Sequence, residues 1–366
     1  MRDWSSLAPD LIRHVSDLLL APSNIESYLD MQAVCSGWRS AMADSSPHGA
    51  ADLRFCPRHW VMLQDDGGDD QGRLFVNVST GRFFRHRIPA VRGHALVGAS
   101  DGLLVLAEIQ SPHRCRVFNP LTGQMLRFAA PIPILGESGT VAVAAGSDPM
   151  LLLASSGAVD GRAETAWFAD PAGDYFFGRA AGSARHVIAA TVAYAGQIYM
   201  AYTDGSVSRR VGSSAQHGHD ELVIIAAAVT KPADQSTVIE AVFLVESAGD
   251  LLLVLRQRYF LGVFKVDVER KALEPVTSIG GRALFLGRRC LSVAADRFPT
   301  LEGDCLYFAS PLYSQKLSAQ SILRFKIGGD WEWLVSSNLL SIASVFLAYC
   351  LHLPHVKAQL LMHRST

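Results

Sequence analysis

The densest group of metal-ligating side chains in this sequence is His217-Gly218-His219-Asp220-Glu221. Imidazole and carboxylate groups are common ligands of divalent metal ions. A five-residue loop that contains glycine rarely brings four such side chains to one point, because a metal site needs convergent ligands. We therefore interpret this segment as a solvated loop that precedes a strand, and we predict no metal site here.

Other motifs that could support catalysis are missing from the sequence. It has no phosphate-binding glycine loop, no H-E-x-x-H and no G-x-S-x-G. Four aspartates lie close together at Asp65, Asp66, Asp69 and Asp70, but they lack the alternating spacing and the terminal Glu of a calcium loop. We interpret them as part of an acidic linker and predict no catalytic residue, metal or cofactor.

The composition indicates a protein with a large buried core. The chain has 366 residues with a net charge of −1 and no sustained basic run, so we expect no nucleic acid as a partner. Charged residues make up 18% and apolar residues 49%, which suits a large β core.

The six cysteines form no C-x-x-C pair, and the N-terminus shows no apolar signal segment. We expect reduced thiols and a cytoplasmic and/or nuclear location.

Helical periodicity is confined to the N-terminal part of the chain. Apolar residues at helical spacing from Leu11 to Leu19, with Pro9 in the first turn, predict one helix. Ser23 and Glu26 form a capping-box pattern that predicts the start of a second helix. The apolar stripe then continues through Met31, Val34, Cys35 and Trp38. So small a unit suggests either a docking module completed by a partner or a cap on the larger domain of the same chain.

The two ends of this helical stretch resemble the F-box. Its opening, from Leu7 and Pro9 to Ile12, is similar to L-P-x-x-L, and Val34-Cys35-x-x-Trp38-Arg39 matches V-C-x-x-W-R; Ala8 separates the usual Leu-Pro pair. The resemblance implies binding to the Skp-type adaptor of a cullin ubiquitin ligase. The adaptor contacts that it implies are Leu7, Pro9, Leu11, Ile12, Val15, Leu18, Val34, Cys35 and Trp38.

From Leu74 onward the sequence consists of short apolar runs closed by Gly, Asp, Asn or Pro, which is typical of strands and turns. About sixteen strands are predicted, which is many for one β-sandwich. A loose repeat recurs as FVNVSTG from Phe75, VFNPLTG from Val117, WFADPAG from Trp167, FKVDVER from Phe264 and RFKIGGD from Arg324. Its spacing favours the four-stranded blades of a β-propeller over a helical solenoid.

This region also resembles a plant family, the domain of unknown function 295. The residues that carry the resemblance include Asp101 to Leu106, Phe118 to Gly123 and VFLVESAGDLLLVLR from Val242. Members are often F-box proteins with a kelch-like β-propeller. The implied fold class is mainly β with a small N-terminal all-α module, a three-helix F-box followed by a β-propeller. We predict an F-box module at 1–45, a linker at 46–73, the propeller at 74–334 and an apolar tail at 335–366.

The apolar tail has no charged residue from Leu334 to Leu353 and just reaches the length of a membrane helix. Four serines and one asparagine interrupt it. We therefore favour a helix or a closing strand packed on the propeller over a membrane anchor, and we do not expect a membrane as a partner.

Three functions remain open on this basis. In the first, the chain is the substrate-recognition adaptor of a Skp-cullin-F-box E3 ubiquitin ligase, with an unidentified target protein on the propeller. It would act without covalent chemistry, by holding the target near the conjugating enzyme. In the second, the propeller is a protein-binding scaffold outside ubiquitination. In the third, it is an enzyme whose site residues converge from several blades.

Overall fold

We describe the fold from a computed structural model of the chain. It describes residues 7–20, 24–42, 49–63, 72–133, 139–155, 165–180, 187–211, 221–226, 239–257, 260–309, 321–329, 331–335 and 341–351. The loop segment from His217 to Asp220 and the aspartates between 65 and 70 lie outside these residues, so both interpretations stay predictions.

Three helices form the N-terminal module: α1 (Pro9–Leu20), α2 (Ile25–Ala33) and α3 (Ser36–Ala41). Pro9 opens α1, as its position predicted. The capping box placed the start of α2 one residue too early, since Asn24 is the N-cap and its side chain accepts the Ser27 N–H at 3.4 Å. Asn and Ser cap helices about equally well, so the pattern could not decide between them. The core of the module contains Ile12, Leu20, Tyr28, Met31, Met42 and Phe55.

Six sheets follow and form the blades of a β-propeller, which confirms the predicted fold class. Blade 1 consists of β1 (Trp60–Met62), β2 (Arg73–Asn77) and β3 (Phe83–His86). Blade 2 consists of β4 (His94–Ser100), β5 (Leu103–Glu108), β6 (Arg114–Phe118) and β7 (Met125–Pro131). Blade 3 consists of β8 (Gly139–Ala144), β9 (Met150–Ser155), β10 (Thr165–Ala169) and β11 (Phe177–Ala180). Blade 4 consists of β12 (Ile188–Tyr194), β13 (Gln197–Tyr202), β14 (Val207–Val211) and β15 (Glu221–Ala226). Blade 5 consists of β16 (Ile239–Ser247), β17 (Asp250–Gln257), β18 (Leu261–Asp267) and β19 (Ala272–Pro275). Blade 6 consists of β20 (Arg282–Leu286), β21 (Leu291–Ala294), β22 (Cys305–Ala309), β23 (Ser321–Lys326) and β24 (Trp331–Val335).

The first blade begins earlier than the sequence suggested. Strand β1 lies inside the predicted linker of 46–73 and pairs antiparallel with β2. Blades 2 to 5 each have four antiparallel strands in chain order. Blade 6 has the order β21-β20-β22-β23-β24, in which β20 and β22 are parallel.

The first strands of blades 2 to 5 lie at the centre of the propeller, where β4, β8, β12 and β16 contact one another in turn. Side-chain hydrogen bonds connect them. The Val143 N–H donates to Ser100 Oγ at 3.1 Å, and Thr191 Oγ1 donates to Thr140 Oγ1 at 3.1 Å. These strands therefore hold the blade positions around the central axis.

Every pair of neighbouring blades shares an apolar core, and the core between blades 6 and 1 closes the ring. The helix α4 (Ile342–Leu351) packs into that closing core through Ala343, Phe346, Leu347 and Cys350. Arg289 fixes its end, since its guanidinium donates to the Tyr349 carbonyl at 2.6 Å and its backbone N–H donates to the Cys350 carbonyl at 3.0 Å. The described part of the apolar tail from Ile342 to Leu351 is thus a helix packed on the propeller. Among the described residues no helix is long and apolar enough to span a membrane.

The loose sequence repeat corresponds to one structural feature, the turn that joins the last two strands of a blade. In blades 1, 2, 3 and 5, the side-chain oxygen of an Asn or Asp accepts hydrogen bonds from two successive backbone N–H groups of this turn. The capping residues are Asn77, Asn119, Asp170 and Asp267, with distances of 2.7–3.2 Å. Such side-chain caps stabilise tight turns, which explains why the repeat survives in the sequence as a polar residue after an apolar strand.

Candidate functional site

The helical module leaves an apolar surface exposed on one face of α1. Leu11, Val15 and Leu18 are spaced at i, i+4 and i+7, and 53%, 42% and 59% of their surfaces are exposed. Val34, directly after α2, is 56% exposed. These four residues are almost half of the large exposed apolar residues of the described chain. Exposed apolar side chains concentrated in one small module mark an interaction surface.

The remaining predicted adaptor contacts occupy different environments. Pro9 is exposed at the start of α1, two residues before Leu11 and hence on the opposite side of the helix from the Leu11, Val15 and Leu18 stripe. Ile12 is only 2% exposed and packs in the module core, so it is a core residue and not a surface contact of the folded module. Helical spacing identified Ile12 as apolar but could not say which of two apolar faces it occupies.

Two other predicted contacts, Leu7 and Trp38, are half-buried against the module core. Cys35 is the N-cap of α3, and its Sγ accepts the Trp38 N–H at 3.4 Å. The exposed stripe on α1 consists of Leu11, Val15 and Leu18, and we call it the α1 face.

The module is joined to the propeller by two adjacent residues that belong to different cores. Phe55 packs in the module core, where its ring lies edge-on to Tyr28 at 5.3 Å, and Cys56 packs in the core between blades 2 and 3. The buried Asn119 Nδ2 donates to the Phe55 carbonyl at 2.8 Å. Arg82 in blade 1 forms an ion pair with Glu26 of α2 at 2.9 Å. Module and propeller are thus in direct contact across this junction.

A sequence profile described as the KIB1-4 beta-propeller matches residues 75–328. The chain belongs to the KIB1-4 β-propeller family. No curated protein matches the sequence. A solved structure titled "Complex of KlAtg21 with coiled-coil of AgAtg16" is similar with a TM-score of 0.33 and 10% identity, over 75% of this chain and 80% of that one.

Charged residues gather where the chain enters the KIB1-4 propeller. Arg58 and His59 follow the junction, and Asp101 stands in the β4–β5 turn. The next residue, Gly102, has φ +76°, and a Cβ there would lie 2.0 Å from the Pro57 carbonyl oxygen, so only glycine allows this close approach.

The electrostatics of these groups are set mainly by burial. Burial raises the pKa of Asp101 to about 7, against the opposing effect of the positive charge of Arg58. It also lowers the pKa of His59, although the charge of Glu246 acts in the opposite direction. The pKa of Arg282 is lowered by burial too, and its guanidinium donates to the Ser292 hydroxyl at 2.7 Å. A carboxyl group that titrates near neutral pH therefore lies in a partly dehydrated, charged environment.

The cysteines of the KIB1-4 propeller are structural. Burial raises the pKa of the Cys56, Cys115 and Cys290 thiols to about 12 and that of Cys305 to about 11, so these groups are protonated at neutral pH and weakly nucleophilic. Within the described ranges, no three His, Cys, Asp or Glu side chains come together as a metal site.

Proposed function

We propose that this KIB1-4 propeller protein is the substrate-recognition adaptor of a Skp-cullin-F-box E3 ubiquitin ligase. The helical module would bind a Skp-type adaptor and, through it, a cullin, and the propeller would bind a target protein. The chain itself would contribute no catalytic residue. Such a complex would operate in the cytoplasm and/or the nucleus.

The observation that supports this proposal best is the α1 face. A module that packed only on its own propeller would turn its apolar side chains toward the propeller. Here the module has a core of its own, and Leu11, Val15 and Leu18 remain exposed on the other side of α1. The same residues belong to the part of the sequence that resembles the F-box, whose partner is a Skp-type adaptor. Burying this stripe in a partner groove is the helix-in-groove mode of recognition.

The direct contact between module and propeller fits the proximity mechanism. A bound target lysine must be held near the conjugating enzyme, which raises its effective concentration. Phe55 and Cys56 anchor the two parts in separate cores at consecutive positions. A target on the propeller would therefore be presented at a defined position relative to the ligase.

The test is binding of the purified full-length chain to a purified Skp-type adaptor. We expect a stable complex that co-elutes in gel filtration and that an α1-face variant disrupts. If the wild-type chain does not bind the adaptor at micromolar concentrations, the proposal fails, and the scaffold function outside ubiquitination becomes the better explanation of the propeller.

A further inference from the structure

Lysine is unevenly distributed along this chain. Of the 33 basic residues six are lysines, and the first of them is Lys231. Eighteen arginines and no lysine precede it, whereas nine arginines and six lysines make up the basic residues from Lys231 onward. A general preference for arginine would affect both parts alike, so it does not explain the difference. We call residues 1–230 the lysine-free part; it contains the helical module and blades 1 to 4.

Exposed positions in the lysine-free part do not all require a guanidinium group. Arg13 in α1 and Arg127 in β7 are exposed, and neither side chain forms an ion pair, a hydrogen bond or a ring contact with another described residue. The particular advantages of arginine are its two-pronged hydrogen bonds and its stacking on rings. Where neither is used, lysine would serve the fold equally well. The fold therefore does not explain the absence of lysine at these positions.

The two basic side chains differ in their chemistry toward acyl donors. A guanidinium group stays protonated at neutral pH and is not a nucleophile. The deprotonated ε-amine of lysine can attack the thioester carbonyl that joins the C-terminus of ubiquitin to a cysteine of the conjugating enzyme. The isopeptide C–N bond forms, the C–S bond breaks, and the leaving thiolate takes up the proton that the new amide nitrogen loses. Arginine in place of lysine thus keeps the charge and removes the acceptor.

The lysine-free part includes the surfaces that lie nearest to the proposed ligase. Blade 1 contacts α2 through the ion pair of Arg82 with Glu26 at 2.9 Å, and Asn119 of blade 2 donates to the Phe55 carbonyl of the junction at 2.8 Å. Blade 5 is separated from blade 2 by blades 3 and 4 on one side of the ring, and from blade 1 by blade 6 on the other. The blades in these contacts with the module and the junction therefore carry no acceptor amine.

The described lysines all lie in blades 5 and 6. Two of them are held in ion pairs, since Lys265 Nζ lies 2.6 Å from Asp250 Oδ1 and Lys326 pairs with Glu302. These hydrogen bonds raise the pKa of Lys265 and Lys326, so a smaller fraction of each is the neutral amine that attacks a thioester. Lys271, in the turn between β18 and β19, is exposed and has no such partner among the described residues. It is therefore the most available acceptor of the three.

We propose that the conjugating enzyme works over the helical module and blades 1 to 4, and that the absence of lysine there directs ubiquitin to the bound target instead of to the chain itself. The inference rests on the proposed function, because only a ubiquitin ligase would hold a conjugating enzyme beside this chain. It adds a direction to that function. Transfer occurs on the side of the lysine-free part, and self-modification is restricted to lysines from Lys231 onward.

The test reconstitutes the ligase from the purified full-length chain, a Skp-type adaptor, a cullin–RING core and the activating and conjugating enzymes, without a target protein. Arg13→Lys and Arg127→Lys, singly and combined, add amines to the lysine-free part without changing its charge. Arg270→Lys is the matched control, because Arg270 is highly exposed and lies beside Lys271 in blade 5. The attachment sites are mapped by mass spectrometry, and the rate of self-modification is followed at each site.

Three controls separate proximity from other causes. A small amine-acylating reagent, applied without the ligase, should label the new amines of all the variants at similar rates. Transfer of ubiquitin to free lysine in solution shows that each reconstituted ligase is active. Co-elution with the adaptor in gel filtration shows that each variant still assembles.

We expect slow self-modification of the wild-type chain, confined to lysines from Lys231 onward. The combined Arg13→Lys and Arg127→Lys variant should raise the rate of self-modification at least about fivefold, with ubiquitin on the new amines, and Arg270→Lys should stay within about twofold of the wild type. An assembled, active ligase that leaves both new amines unmodified would overturn the inference alone, as would an equal rise in Arg270→Lys. A wild-type chain that does not co-elute with the adaptor would overturn the proposed function, and this inference with it.

Discussion

The α1 face gives the most direct test of how this chain engages a partner. Leu18 is the most exposed residue of that face, with 59% of its surface accessible. Full burial of a leucine side chain contributes about 1.5–3 kcal/mol, so burying the exposed part of Leu18 in an adaptor groove would contribute roughly 1–2 kcal/mol. Leu18→Ala should therefore weaken adaptor binding by roughly 5- to 30-fold. Leu18→Glu should weaken it by more than about 100-fold, because a carboxylate would lose its hydration in the groove.

The same substitutions should leave folding intact. An exposed side chain on a helix surface usually changes the free energy of unfolding by less than about 0.5 kcal/mol. Ile12→Ala is the informative contrast, because Ile12 is buried in the module core and its truncation should cost about 2–5 kcal/mol of module stability. Phe260→Glu, at an exposed apolar position before β18, is the control for an added negative charge elsewhere.

Binding would be measured by calorimetry with purified adaptor, and folding by thermal unfolding of the same samples. Suppose that the wild type binds and that Leu18→Glu binds within about twofold of it. The α1 face would then not be the contact, and the reasoning from exposed apolar surface would be refuted even though the ligase function survived. Loss of binding together with loss of thermal stability in Leu18→Glu would refute it as well, since it would place Leu18 in the fold and not in the interface.

Three further predictions concern the propeller. Gly287→Ala should lower the melting temperature, because the new Cβ would lie 2.8 Å from the Cys350 carbonyl oxygen at the end of α4. Gly37→Ala is the control and should leave the melting temperature unchanged or raise it, because the nearest atom to its new Cβ would be 3.8 Å away. Phe346→Ala should cost about 3–5 kcal/mol in urea denaturation, because it removes a fully buried ring from the core that closes the ring of blades. Asp101→Asn should stabilise the protein by up to about 4 kcal/mol at pH 8 and by almost nothing at pH 4. Burial raises the pKa of the folded carboxyl to about 7, so ionising it costs stability as the pH rises from about 4 to 7.

Each of these predictions has an outcome that contradicts it. Equal melting temperatures for the two glycine variants would show that the end of α4 yields freely. A cost below about 1 kcal/mol for Phe346→Ala would mean that α4 is dispensable for ring closure. A constant difference between Asp101→Asn and the wild type across pH 4–8 would show that this carboxyl has an ordinary pKa. Asparagine is a suitable replacement because it tolerates the positive φ of 50° at this position.

The sequence predicted the inner strands of the blades well and the outer ones poorly. Strand β5 was predicted with its observed bounds, because all but one of its residues are buried and apolar. The outer strands β3 and β19 were missed. Most of β3 and half of β19 are exposed, and the two strands contain charged residues or proline, so neither an apolar run nor strict alternation marks them. Their strand conformation comes from pairing with a neighbour, which no local pattern contains.

The candidate sites also differ in how far the sequence could predict them. Helical spacing and the F-box resemblance identified the residues of the α1 face, but only the packing of α2 and α3 separates exposed Leu11 from buried Ile12. The cavity lined by Arg73, Arg87 and Arg92 was not predicted, because its lining residues come from two separate segments of blade 1, the start of β2 and the connection from β3 to β4. Which residues of the two segments meet could not be known before the fold.

The junction at Phe55 and Cys56 also has a meaning in polymer terms. When two binding units are joined by a flexible tether, the local concentration of one at the other falls with the contour length of the tether. Here the tether has no contour length, because consecutive residues are already embedded in the two units. Under the proposed function, the orientation of a target lysine relative to the ligase would therefore decide whether it is modified, more than its distance from the propeller. Inserting a few glycines between Phe55 and Cys56 would then broaden the set of modified lysines without changing either binding affinity.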